Sequence, residues 1–315
     1  MLLLTLFLVL ADSTRAYAVP VASAESLWVT DAGQGRPVVL IPGTFGSAYG
    51  YRRVLPLLTA RGYHAVVIEP LGIGHSAKPQ RADYSLDAQA DRVAEVLQHL
   101  GLSGAILVAH STNASMAYRL AYRRPDLVVG VVSLEGGPAE RATTSGFRRA
   151  MTFVPWIKWF GGAKLIRRQI HKGLINASGD TTWVTNEVVD GYTAAAQADL
   201  DGTLKAFLGM AASKERGPLA PHLPEIHCPV RLVLGGAPHD GGPSAKEVAL
   251  LISSLPQLAV DTIPGVGHYI QEEQPDAVVR AVGEVASATA TPPGPAHRAA
   301  GSAPRSPTSR GEPRP

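Results

Sequence analysis

Two periods of apolar positions alternate along the chain. Short runs of branched residues recur: Val38-Val39-Leu40-Ile41, Ala65-Val66-Val67-Ile68, Ala105-Ile106-Leu107-Val108, residues 127–134, 230–234 and 258–262. Their length and β-branching mark buried strands. Between them the apolar positions follow helical spacing, clearest over residues 83–100 at Leu86, Ala90, Val93, Ala94, Leu97 and Leu100, with Gly101 as a stop. Further helices are predicted over 51–60, from the elbow serine described below to about 124, over 245–254 and over 272–285. A strand at 27–30 and the turn Gly33-Gln34-Gly35-Arg36-Pro37 open the series. Strands unbroken by polar residues, each followed by a helix, predict an α/β fold with a mainly parallel sheet covered on both faces.

The strand rhythm stops between Gly136 and about Pro229, where helices are predicted near 147–151, 155–171, 187–197 and 200–212. Phe153, Trp156, Trp159 and Phe160 cluster there at helical spacing, beside Lys158, Lys164, Arg167 and Arg168. These aromatics serve one of three ends: packing the insertion on the body, lining an apolar substrate pocket, or touching lipid. At the N-terminus, the apolar run Leu2 to Leu10 with Ala16-Tyr17-Ala18 after it resembles a secretory signal peptide over residues 1–18 that lacks a basic start. Export to the periplasm or exterior is the expectation, a cytoplasmic enzyme with an uncleaved start the alternative. Residues 19–286 form the folded domain, with the helical insertion at about 137–228. From 287 to 315 the chain holds seven prolines and no large apolar residue, the composition of a disordered tail.

Charge and composition exclude some functions. The net charge is +3, and Arg298, Arg305, Arg310 and Arg314 against Glu312 supply all of it, so the folded part carries no basic footprint for nucleic acid. Cys228 is the single cysteine, which rules out an intramolecular disulfide and suits a small core residue. The ten histidines show no metal-binding spacing, and Pro70-Leu71-Gly72-Ile73-Gly74 lacks the full dinucleotide fingerprint. No metal or cofactor is expected, and the partner is a small-molecule substrate.

The candidate chemistry centres on Ala109-His110-Ser111-Thr112-Asn113, where an apolar strand turns straight into a helix. A serine at such an apex projects its hydroxyl above the sheet beside the first N–H groups of the helix. The segment resembles the nucleophile elbow of the α/β-hydrolase superfamily, G-x-S-x-G, with Ala109 and Asn113 in the glycine positions. The resemblance covers about residues 27–285 and adds three motifs in order. Ile263-Pro264-Gly265-Val266-Gly267-His268 matches the loop that carries the superfamily's histidine base, followed by Gln271-Glu272-Glu273-Gln274-Pro275 much as in haloalkane dehalogenases. Asp240, after the penultimate strand, holds the commonest position of the triad acid and is favoured. Glu135, ending the strand before the insertion, holds the position that a minority use, some haloalkane dehalogenases among them. Pro42-Gly43-Thr44 stands where relatives have His-Gly-x, which implies an oxyanion hole made by the N–H groups of Thr44, or Phe45 next to it, and Thr112.

Dehalogenases and epoxide hydrolases of the superfamily carry aspartate at the elbow, so Ser111 implies acyl transfer instead. The expectation is a serine hydrolase acting on an ester or similar acyl bond, with an apolar acyl group and a helical cap after Glu135. Two alternatives stand beside it: a hydrolase-like binding or signalling module without catalysis, motivated by Asn113 and Pro42, and a non-hydrolytic lyase using the same triad.

Overall fold

The computed structural model describes residues 14–21, 25–152 and 162–290. Eight strands form one sheet: β1 (Arg15–Val21), β2 (Glu25–Ala32), β3 (Arg36–Ile41), β4 (Tyr63–Glu69), β5 (Ala105–His110), β6 (Val128–Leu134), β7 (Val230–Gly235) and β8 (Leu258–Ile263). Their order is β1-β2-β4-β3-β5-β6-β7-β8. The β1–β2 and β2–β4 pairs are antiparallel, and every pair from β4 to β8 is parallel. The mainly parallel sheet read from the unbroken apolar runs is therefore what forms.

Alternation within each run separates two cores. Val39, Ile41, Val66, Ile68, Leu107 and Ala109 face one side, packed with residues of α2 (Leu86–His99) and α3 (Ala114–Arg123). Val38, Leu40, Ala65, Val67, Ile106 and Val108 face the other, against α1 (Leu55–Thr59) and the last helix. Burial on both faces is why these strands show no polar alternation.

Among the described residues, four α-helices lie between β6 and β7: α4 (Ser145–Met151), α5 (Gly162–Asn176), α6 (Asn186–Ala198) and α7 (Leu200–Ala212). Thr185 and Asp199 cap α6 and α7 by accepting the N–H groups of Val188 and Gly202. Ala206 and Met210 of α7 enter the main core, while Leu174, Val188, Val189 and Tyr192 form a small core between α5 and α6. Arg167 of α5 pairs with Asp190 of α6 at 2.6 Å. After β7 come α8 (Ala245–Ser254), α9 (Ile270–Glu273) and α10 (Pro275–Ala290).

Proline accounts for two departures from the expected elements. The helix expected over 51–60 is a 3-10 turn, Ala48–Tyr51, followed by the short α1. Pro56 has no N–H to continue a helix arriving from Tyr51. Likewise the helix expected from 272 is split, because Pro275 begins α10 at its first position. At the chain ends, Ala16, Tyr17 and Ala18 lie inside β1, a strand not foreseen, where Arg15 and Tyr17 both bond Asp31. Helix α10 continues to Ala290, four residues into the segment expected to be disordered. The run Leu2 to Leu10, the aromatics Phe153, Trp156, Trp159 and Phe160 with Lys158, and the tail from 291 lie outside the described residues.

The elbow helix α3 is fastened by Arg119, whose side chain is 1% exposed. It pairs with Asp87 of α2 at 3.1 Å, Glu140 at 3.4 Å and Glu215 at 3.9 Å. Glu215 also accepts the N–H groups of Leu86 and Asp87, capping α2 from the segment that follows α7. Removing the guanidinium takes the ion-pair partner from the buried side chain of Glu215 and leaves Asp87 to Arg123. Arg119→Ala is expected to lower stability by about 3–5 kcal/mol, measured as a shift in urea unfolding.

Candidate active site

The site begins with strand register. His110, the last residue of β5, pairs with Leu134, the last of β6, so the residues that follow stand side by side at the carboxyl edge of the sheet. Those residues are Ser111 and Glu135, and both have left-handed backbones, with φ of 59° and 51°. A non-glycine residue in that region costs about 1–3 kcal/mol and persists only where its surroundings enforce it. Here the enforcement is close packing: a Cβ on Gly136 would lie 2.2 Å from the Ala114 Cβ and 2.7 Å from the Ser111 carbonyl oxygen. Only glycine at 136 lets the two turns nest.

His268 follows β8 and is fixed from both sides. Its N–H donates to the Ala177 carbonyl at 2.7 Å, and its own carbonyl accepts Nε2–H of His110 at 2.9 Å. That bond sets the tautomer of His110 and leaves Nδ1 as a lone pair. Burial, then the neighbouring His268, push the His110 pKa down to about 3, so this ring is neutral at working pH. It holds the His268 backbone through its Nε2–H and carries no charge.

The carboxylate that approaches His268 is Glu135. Its Oε2 lies 3.7 Å from His268 Nδ1, an ion-pair separation longer than a hydrogen bond, and 3.1 Å from His239 Nε2. Oε1 accepts the N–H of Gly235. Burial pushes the Glu135 carboxyl up, but the two imidazoles and the Gly235 N–H outweigh it and hold the acid below the ordinary carboxylate range. Asp240, favoured in the sequence, lines the same cavity but is exposed. Among the described residues its carboxylate makes no ion pair or hydrogen bond. The loop after β7 brings His239, Gly241 and Gly242 to the histidine–glutamate pair instead. A Cβ on Gly241 would stand 2.9 Å from His268 Nδ1, and one on Gly242 2.2 Å from Glu135 Oε2.

Thr44 and Thr112 line one cavity of about 260 Å³ together with Ser111, His110 and His268. Thr112 lies in the first turn after the elbow, where backbone N–H groups have no intrahelical acceptor. The two departures from the family pattern meet each other: Asn113 is 2% exposed and its Nδ2 donates to the Pro42 carbonyl at 2.6 Å. The side chain that replaces glycine thus ties the elbow to the loop that carries Thr44. A second, more apolar cavity of about 470 Å³ shares the wall formed by Thr44, Phe45, Gly46, Ser47, Phe147 and Tyr192. Phe45, Phe147 and Phe207 pack in this wall with ring centroids 5.5 Å apart.

Elbow, histidine loop and acid on one sheet edge define an α/β hydrolase. Residues 38–281 match the model of the alpha/beta hydrolase family, and the chain belongs to that family. It is 30% identical over 260 residues to the magnesium-chelatase 30 kDa subunit of Rhodobacter capsulatus, covering 79% of this chain and 87% of the relative. Over 272 residues it is 25% identical to haloalkane dehalogenase 2 of Mycobacterium tuberculosis, covering 83% and 91%. Among solved structures it shares the fold of the epoxide hydrolase CorEH, with a TM-score of 0.73 at 20% identity, covering 87% and 99%.

The structure adds His110, His239 and the Asn113–Pro42 bond to the residues singled out in the sequence. His239 had a signal, since it stands beside Asp240 in the loop after the penultimate strand. Asn113→Ala removes the side-chain donor of a buried carbonyl. The expected cost is about 1–3 kcal/mol, read from denaturant unfolding of the purified variant.

Proposed function

We propose that this chain is a serine hydrolase that cleaves a carboxylic ester of an apolar acyl group. The observation that carries this reading is the left-handed turn at Ser111, set beside Glu135 and opening into the cavity that His268 also lines. Ser111 Oγ attacks the acyl carbonyl while His268 Nε2 takes its proton, and Glu135 stabilises the resulting imidazolium. The N–H groups of Thr44 and Thr112 receive the oxyanion of the tetrahedral intermediate. Collapse expels the alcohol, which takes the proton from His268. Water, deprotonated by the same ring, then releases the acid. Glu135 as the acid is supported by its approach to His268 and by a carboxyl held in its ionised form.

The apolar cavity behind Phe45 supports an acyl group without charge, since among the described residues no charged side chain lines it. A fluorophosphonate probe is expected to label Ser111, located by peptide mass spectrometry, and to leave the His268→Ala variant unlabelled. A folded wild-type chain that resists the probe would refute the reading. Glu135→Gln should lower kcat by about 10⁴-fold, whereas Asp240→Asn should change it by no more than about threefold. The reverse order would return the acid to Asp240. Phe45→Ala opens the wall between the cavities, so kcat/KM across p-nitrophenyl esters is expected to shift toward longer acyl chains. An unchanged chain-length profile would place the acyl group elsewhere.

A further inference from the structure

We propose that Glu135, His239 and His268 form a binding site for Zn²⁺ or a similar transition-metal dication, and that filling it turns the active site off. The candidate ligand atoms, Glu135 Oε2, His239 Nε2 and His268 Nδ1, lie within 4.8 Å of one another. Oε2 stands 3.1 Å from His239 Nε2 and 3.7 Å from His268 Nδ1. These distances bracket the edge of about 3.4 Å in a tetrahedron with bonds of about 2.1 Å. Two imidazoles and one carboxylate are a donor set that zinc takes with a fourth position left open.

Two further observations point to a cation. His268 is 6% exposed, and its Nδ1 has no hydrogen-bond partner although it faces Glu135. A buried ring nitrogen with nothing to bond is uncommon, and a metal would take its lone pair. The other atoms of the set are already braced in the manner of metal ligands. His239 Nδ1 lies 2.7 Å from the Ala237 carbonyl and donates to it, which leaves Nε2, 3.1 Å from Glu135 Oε2, as the atom that takes a metal in exchange for a proton. Glu135 Oε1 is held by the Gly235 N–H. Such outer contacts orient ligands and strengthen their basicity. A cavity of about 340 Å³, lined by Ser111, Glu135, Gly241 and Gly242 among others, reaches the carboxylate of the set.

The effect on turnover rests on the serine hydrolase reading above. In the active state His268 carries its ring proton on Nδ1 and offers Nε2 to Ser111. A cation on Nδ1 forces that proton to Nε2 through solvent. The ring then has no lone pair for the serine proton, and Glu135 is occupied by the metal. The site is therefore inhibitory and lies outside the reaction path.

Isothermal titration of the full chain, freed of metal by a chelator, with ZnCl₂ tests the site. The expected result is a single high-affinity site, weakened by at least about 100-fold in His239→Phe and in His239→Gln, and unchanged in Ser111→Ala. MgCl₂, which is poorly suited to imidazole ligands, should give no binding heat. In parallel, ester turnover by the wild type should fall as zinc saturates and return on adding EDTA. Absence of zinc binding, or full affinity in either folded His239 variant, overturns the site. Zinc bound with turnover unchanged overturns its inhibitory role. The titration needs no turnover, so a chain without esterase activity would refute the proposed function and still leave the site tested.

Discussion

The arrangement depends on two left-handed turns held side by side. Parallel pairing of β5 with β6 ends level at His110 and Leu134, so Ser111 and Glu135 leave the sheet together. Neither residue is glycine, and each would relax if the packing allowed. The restraint comes from Gly136, which has no side chain to hold the turns apart, and from α3, anchored through the buried Arg119. Strain at the apex is thus maintained by burial and charge some distance from the cavity. The gain is that hydroxyl, carboxylate and free N–H groups need no further ordering when a substrate arrives.

The electrostatics of the site follow from one carboxylate serving two imidazoles. Glu135 Oε2 is nearer to His239 than to His268, and the absence of a side chain at Gly242 leaves room for it while Gly241 leaves room for the His268 ring. His110, by contrast, is kept neutral by burial and acts through its bond to the His268 carbonyl. Of the three histidines gathered here, His110 bonds the backbone of His268, His268 faces Glu135, and His239 contacts the same carboxylate. Their different neighbours assign the difference, since the residue type is the same.

Much of the fold was legible because the signal was local and repeated. Apolar runs such as 65–68 and 105–108 read as strands buried on both faces, and that is how they pack. The turn at Ser111 and the place of His268 after β8 were legible because each sits where a strand gives way to a loop or turn. Which of Asp240 and Glu135 approaches His268 was not, because it turns on how the loop after β7 folds back, and sequence order is the same for both. That loop carries two glycines with positive φ, Gly241 and Gly242, and it delivers His239 to Glu135. The Asn113–Pro42 bond was hidden for a similar reason: the two residues are 71 positions apart, and each alone looks like a defect in its motif.

The measurement that bears most directly on the account is steady-state hydrolysis of a p-nitrophenyl ester by Ser111→Ala beside the wild type, with both shown to be folded by circular dichroism. The expected result is a kcat lower by at least about 10⁴-fold in the variant, approaching the residual rate that binding and oxyanion contacts alone support. Turnover in Ser111→Ala within a few-fold of the wild type would contradict the account.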